Sequence, residues 1–166
     1  MVKFVIAVIL VVAGVVGWYI YCPQPVMKDF HAAVDSGKPE AILPFLDMPS
    51  LKKSTYDFVK ARYSRPDVPG GEMKPEDIQA IVDSFLTPAN VILLMKGAKI
   101  SPGSAAAGPP DDPKNHPIDE HYQSPQVYSI DVYLSPVLTP DNKVSFLFER
   151  DGWFDWKLAA FRFSWS

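Results

Sequence analysis

The stretch Asn142-Lys-Val-Ser-Phe-Leu-Phe-Glu-Arg-Asp-Gly-Trp-Phe-Asp-Trp-Lys-Leu-Ala-Ala-Phe-Arg-Phe-Ser164 decides the fold. Val144, Phe146 and Phe148 fall on one face and Ser145 and Glu149 on the other, the period of two expected of a half-buried strand. Asp151-Gly152 turns the chain. Trp156 and Leu158 resume the alternation, which changes phase at Ala159-Ala160 so that Phe161, Phe163 and Trp165 carry it on. One extra residue in a strand is a bulge. A strand apolar on one face at its start and on the other at its end either bends hard or is covered on both sides. Upstream, Tyr128, Ile130, Val132 and Leu134 alternate with Ser129, Asp131 and Tyr133 between Pro125 and Pro136. Together these segments predict an antiparallel meander of at least three strands.

The rest of the 166-residue chain must cover that meander, and the total length suits one domain. A net charge of -3 supplies no broad positive field, which excludes nucleic acid as a partner class. Cys22 is the single cysteine, so no intrachain disulfide and no cysteine-rich metal site can form. Packing alone has to hold the fold.

Phe4 to Tyr21 carries no charge and no proline. As a helix it spans roughly 27 Å, close to the hydrocarbon thickness of a bilayer. A cleaved secretory signal is the alternative, but the run exceeds a usual signal core and only Val15 and Gly17 offer small residues at a cleavage-like spacing. Tyr21 precedes Cys22, which disfavours a lipoprotein signal. Lys3 flanks one end, and Trp18, Tyr19 and Tyr21 stand at the other like an interfacial aromatic belt. The expectation is an uncleaved single-pass anchor over residues 1–22 in the inner (cytoplasmic) membrane, with the body, residues 23–166, in the periplasm or outside.

That body reads as a single α+β domain. Met27, Phe30, His31 and Val34 recur at helical spacing before Gly37, and Pro39-Glu40 opens a helix bearing Ala41, Ile42, Phe45 and Leu46. Ser50 to Tyr63 predicts a third, its stripe running through Leu51, Thr55, Phe58, Val59 and Arg62, with Lys52, Lys53, Lys60 and Arg65 toward water. Pro75-Glu76-Asp77 starts a helix with Ile78, Ile81, Val82, Phe85 and Leu86, and Thr87-Pro88 restarts it, so the two form an elbow. Residues 98–120, rich in Pro, Gly and Ala, are expected to be a flexible loop.

With these elements in place, the chain resembles the membrane-anchored bacterial proteins that share the domain of unknown function DUF2939. The matching residues are Ala33, Ser36, Gly37, Leu43, Phe45, Leu46, Asp47, Pro49, Leu51, Lys52 and Ser54, then Phe85, Leu86, Thr87, Pro88 and Val91, then Phe146, Phe148, Glu149, Arg150, Gly152, Trp156, Lys157 and Leu158. Met48 stands where the family pattern has an aromatic, and Lys52 where it has arginine. The resemblance implies a membrane-anchored domain and no particular reaction. A looser likeness of shape is to the NTF2-like folds, where helices pack into a bulged, curved sheet around a pocket.

No catalytic, cofactor-binding or metal-binding residue stands out. His116, Asp119, Glu120 and His121 are metal-ligand types at a spacing that fits no established site. His31 reads as structural. Asp131 and Tyr133 lie opposite Ile130 and Val132: facing water, Asp131 is an ordinary carboxylate, whereas lining a pocket it is a general base of an NTF2-like enzyme. Glu149, Arg150 and Lys157 read as hairpin charges able to pair across strands, and Trp153, Trp156 and Trp165 as packing. The function expected is a non-catalytic module that binds a small ligand or a protein partner outside the cytoplasm, the enzyme around Asp131 being the alternative.

Overall fold

The computed structural model describes residues 2–64, 73–98, 100, 102, 116–134, 142–152 and 155–164. The expectations for Arg65, Trp153, Trp165, the loop 65–72 and most of 101–115 lie outside the described residues. Helix α1 is Val2–Tyr21, followed by α2 (Pro23–Ser36), α3 (Pro39–Ile42), a 3-10 turn (Leu43–Phe45), α4 (Met48–Tyr63), α5 (Pro75–Phe85) and α6 (Pro88–Met95). Four strands follow, β1 (Ile118–Ser124), β2 (Val127–Tyr133), β3 (Lys143–Asp151) and β4 (Asp155–Ser164), in one antiparallel sheet of order β1-β2-β3-β4. This is the α+β layout expected, with an N-terminal apolar helix.

Helix boundaries follow local chemistry. Gly37 ends α2 at φ 67, a left-handed conformation that only glycine adopts without cost, and its N–H donates to the Val34 carbonyl. The Asp47 carboxylate accepts from the Ser50 N–H at 3.2 Å and the Ser50 hydroxyl at 2.7 Å, so α4 begins at Met48, two residues before the Ser50 start read from the sequence. Thr87 caps α6 by accepting from the Asn90 N–H, Pro88 occupies the first turn, and α5 and α6 meet at 66° as the expected elbow. On α4, Arg62 is exposed rather than part of the buried stripe. Lys52 and Lys53 pair with Asp83 and Asp57, the behaviour of a solvated helix face.

The sheet resolves the change of phase in β4. Leu147 faces Ala160 and Phe148 faces Leu158, leaving Ala159 as the extra residue. The bulge restores the alternation, so Trp156, Leu158, Phe161 and Phe163 all point to the face that Val144, Phe146 and Phe148 occupy. Helices cover that face. Phe30 of α2 meets Phe148 edge-on at 5.0 Å, and Phe58 of α4 and Phe85 of α5 close on Phe163 at 4.9 and 6.0 Å. Each fully buried side chain of this size contributes about 1.5–3 kcal/mol, and Phe30, Phe146, Phe148 and Trp156 are all at 1% exposure or less.

Two expectations change. The segment 98–120 is not loop throughout: β1 begins at Ile118, and Ala98 and Ile100 are buried. β1 escapes a search for alternation because it is an edge strand whose burial grades from exposed to intermediate. The opposite face of β2 is not a water-facing surface either, since Ser129 and Asp131 are buried.

Candidate functional site

Three clusters of polar side chains lie within the described residues. The first is a cleft of about 450 Å³ where the start of α4 meets the β3–β4 hairpin. Leu46, Asp47, Met48 and Pro49 form one wall, and Glu149, Arg150, Asp151, Lys157 and Ala159 the other. Backbone fixes the walls: Leu46 pairs with Leu158 in an isolated parallel bridge, and the Asp47 N–H donates to the Leu158 carbonyl at 3.0 Å. Lys157 Nζ donates to the Pro44 carbonyl, tying the hairpin to the 3-10 turn. Glu149 stands opposite Lys157 in the register, as expected of the hairpin charges. The Arg150 guanidinium lies 4.7 Å from the centre of the Trp156 ring, a cation–π contact, and its Nη1 is 4.0 Å from Cys22 Sγ. Residues more than a hundred positions apart in sequence thus build one cleft of mixed charge.

The second cluster surrounds Asp131, which is 1% exposed. Lys143 Nζ and the Ser129 hydroxyl donate to its two carboxylate oxygens, the latter at 2.9 Å. Burial alone would raise the Asp131 pKa, but hydrogen bonds from Lys143, Ser145 and Ser129 outweigh it and hold the carboxyl below its usual range. The hydrogen bond to Asp131 pushes the Lys143 ammonium up in turn. Asp131 is therefore neither the ordinary surface carboxylate nor the raised-pKa base of the two sequence readings. It is an ion-paired anion, and neither the cleft above nor a second one of about 340 Å³ between α4 and α5 is lined by it.

Asp119 faces Asp131 across the β1–β2 register, and His121 lies two residues on, so one ligand-type atom from each falls within 4.8 Å of the others. His121 Nδ1 is 3.3 Å from Asp119 Oδ2, within range of charge attraction but without hydrogen-bond geometry. Such a trio is a set of metal-ligand types, yet the donors on Asp131 already supply its counter-charge. A metal ion would have to displace Lys143. The structure separates His116 from this group: its Nδ1 is 2.8 Å from the Tyr133 carbonyl oxygen, and its ring packs on Gly97.

The third cluster links α2 to the edge of the sheet. His31 Nε2 is 2.6 Å from Glu120 Oε1, and the Tyr128 hydroxyl donates to Glu120 Oε2 at 3.1 Å. Burial and the adjacent Glu120 push the Tyr128 phenol above its ordinary range. Tyr122, Tyr128 and Trp156 stack edge to face beside it, at 5.2 to 6.3 Å. His31, read from the sequence as structural, has in Glu120 a partner that sequence did not reveal.

Sequence reasoning missed Lys143 and Glu120. Lys143 was findable once β3 was paired with β2, because the register places it diagonally across from Asp131. Glu120 carried no signal while its segment read as loop. Comparison with known proteins adds nothing to these geometries: no protein-family model, no curated protein and no solved structure matches the chain. The likeness to the DUF2939 proteins rests on its quoted motifs alone.

Proposed function

We propose that the chain is a single-pass membrane protein whose α+β domain lies outside the cytoplasm and binds a small ligand or a partner in the cleft between Asp47 and the β3–β4 hairpin. One observation carries the reading. Within the helical stretch Phe4–Ser36, the most apolar 18-residue window has a mean hydropathy of 2.5, and none of that window is buried. Phe4, Leu10 and Trp18 are 75%, 67% and 63% exposed. An apolar surface of that extent calls for a cover, and a bilayer is the cover of matching length. A signal sequence has the same apolar character, but here α1 runs through Cys22 in helical conformation into α2, whose Phe30 and Met27 are core residues.

Orientation follows from charge: Lys3 flanks the amino-terminal end of the span, which places that end in the cytoplasm. Membership of the DUF2939 family is proposed on the same footing. Its support is that two motif stretches quoted above, around Asp47-Met48-Pro49 and around Glu149 to Leu158, face each other across the cleft. The module is non-catalytic in this reading, since Asp131, the base that the enzyme alternative needs, is ion-paired with Lys143. An alkaline phosphatase fused after Ser166 will be active and a fluorescent protein at the same position dark. The reverse pattern refutes the orientation.

A further inference from the structure

The second cleft, of about 340 Å³, opens where the end of α4 meets the start of α5. Lys52 and Asp83 join the opposite ends of these helices at 2.7 Å, so the two run antiparallel and the last turn of one faces the first turn of the other. Tyr56, Lys60 and Tyr63 follow at i, i+4 and i+7, which puts all three on one face of α4. Met73, Lys74 and Ile78 line the facing wall. Helical spacing thus turns both tyrosines and Lys60 toward one space, large enough for a small ligand.

Its charge is of one sign. Lys52 and Lys53, earlier on α4, each pair with a carboxylate, whereas Lys60 and Lys74 form no ion pair among the described residues. Glu76 and Asp77, in the first turn of α5, are exposed and do not line the cleft. Two ammoniums without a counter-ion select an anion. The Tyr56 and Tyr63 hydroxyls, which have no protein acceptor among the described residues, can donate to it as well. Ile78 is 3% exposed and Met73 half-buried, so the space between the charges has an apolar floor. Tyrosine rings and a thioether reward an aromatic ring over an alkyl chain, because edge-to-face and sulfur–ring contacts add to burial.

We propose that the cleft between α4 and α5 binds a small aromatic anion, a ring carrying a phosphate or a carboxylate. The inference is independent of the anchor and of the cleft at the β3–β4 hairpin. The test titrates the full chain in a nonionic detergent with phenyl phosphate and benzoate, by calorimetry against the detergent alone. Benzyl alcohol supplies the ring without the charge, inorganic phosphate the charge without the ring, and benzylamine the opposite charge. Phenyl phosphate will bind about tenfold more tightly than benzyl alcohol or inorganic phosphate, the scale of one charge-assisted hydrogen bond. Benzoate, with a single charge, will fall between, and benzylamine will bind least.

Lys60→Gln with Lys74→Gln will weaken phenyl phosphate about tenfold and leave benzyl alcohol unchanged. Lys52→Gln with Lys53→Gln removes the same charge from the same helix outside the cleft and will leave both unchanged; circular dichroism melts show that each variant is folded. Equal loss in the two double variants assigns the binding to general charge and overturns the site. Inorganic phosphate as tight as phenyl phosphate means an adventitious ion only, and benzyl alcohol as tight means an apolar gap without a charge requirement; either overturns the inference, as does the absence of binding by both aromatic anions.

Discussion

Replacing Lys143 by Met keeps most of the volume of the side chain and removes its charge, leaving Asp131 at 1% exposure with two hydroxyls and no counter-ion. Breaking a buried ion pair from one side costs about 3–5 kcal/mol. Lys143 is 24% exposed, so water reaches the gap and lowers the figure to about 2–3 kcal/mol. For a domain of this size that is a fall in Tm of about 4–12 °C. The pH dependence has a definite sign. The folded pKa of Asp131 is depressed from 3.8, so its contribution is present above that value and lost as pH falls through the folded one. The folded pKa of Lys143 is raised from 10.5, so its contribution is present below that value and lost as pH climbs through the folded one. Thermal melts of the full chain in detergent, followed by circular dichroism, will show a constant gap between wild type and Lys143→Met from about pH 5 to 9, narrowing in acid as Asp131 protonates. Lys143→Met with Asp131→Asn will recover part of the loss. A gap under about 1 °C at pH 7, or one that persists unchanged in acid, refutes the claim that this pair neutralises a buried charge.

Trp156→Ala removes a side chain 1% exposed that touches Tyr122, Tyr128 and Arg150, and will cost about 3–5 kcal/mol by urea titration. Deleting Ala159 removes the bulge but leaves Leu158, Phe161 and Phe163 in strict alternation on one face of β4, so the variant will still unfold cooperatively, whereas deleting Ala159 and Ala160 together throws Phe161 and Phe163 to the other face and will abolish cooperative unfolding; the reverse order means the register around Ala159 is misassigned. Gly97→Ala meets a φ of 81 and a Cβ position inside the His116 ring, and will cost about 1–3 kcal/mol; His116→Ala will relieve the steric part in the double variant.

The aromatic alternation of β3 and β4 announced the sheet because its period is short and one face is buried throughout. The two-residue capping signals, Thr87-Pro88 and the Asp151-Gly152 turn, were equally local. What sequence could not show depends on contacts between distant segments. β1 is a polar edge strand recognisable only beside β2, and the pairing of His31 with Glu120 spans 89 positions. The cleft joins Asp47 to Arg150 and Lys157, residues that read separately as a helix cap and as hairpin charges. Asp131 was visible as an anomaly on a strand, but its meaning lay in Lys143, twelve residues away and opposite only after the strands pair.

The account turns on α1 being retained as the anchor of a folded domain. Its most direct test is the intact mass of the chain recovered from the membrane pellet after alkaline carbonate washing. The account predicts the mass of all 166 residues, in the pellet. A chain shortened past Gly17 and found in the soluble fraction would contradict it.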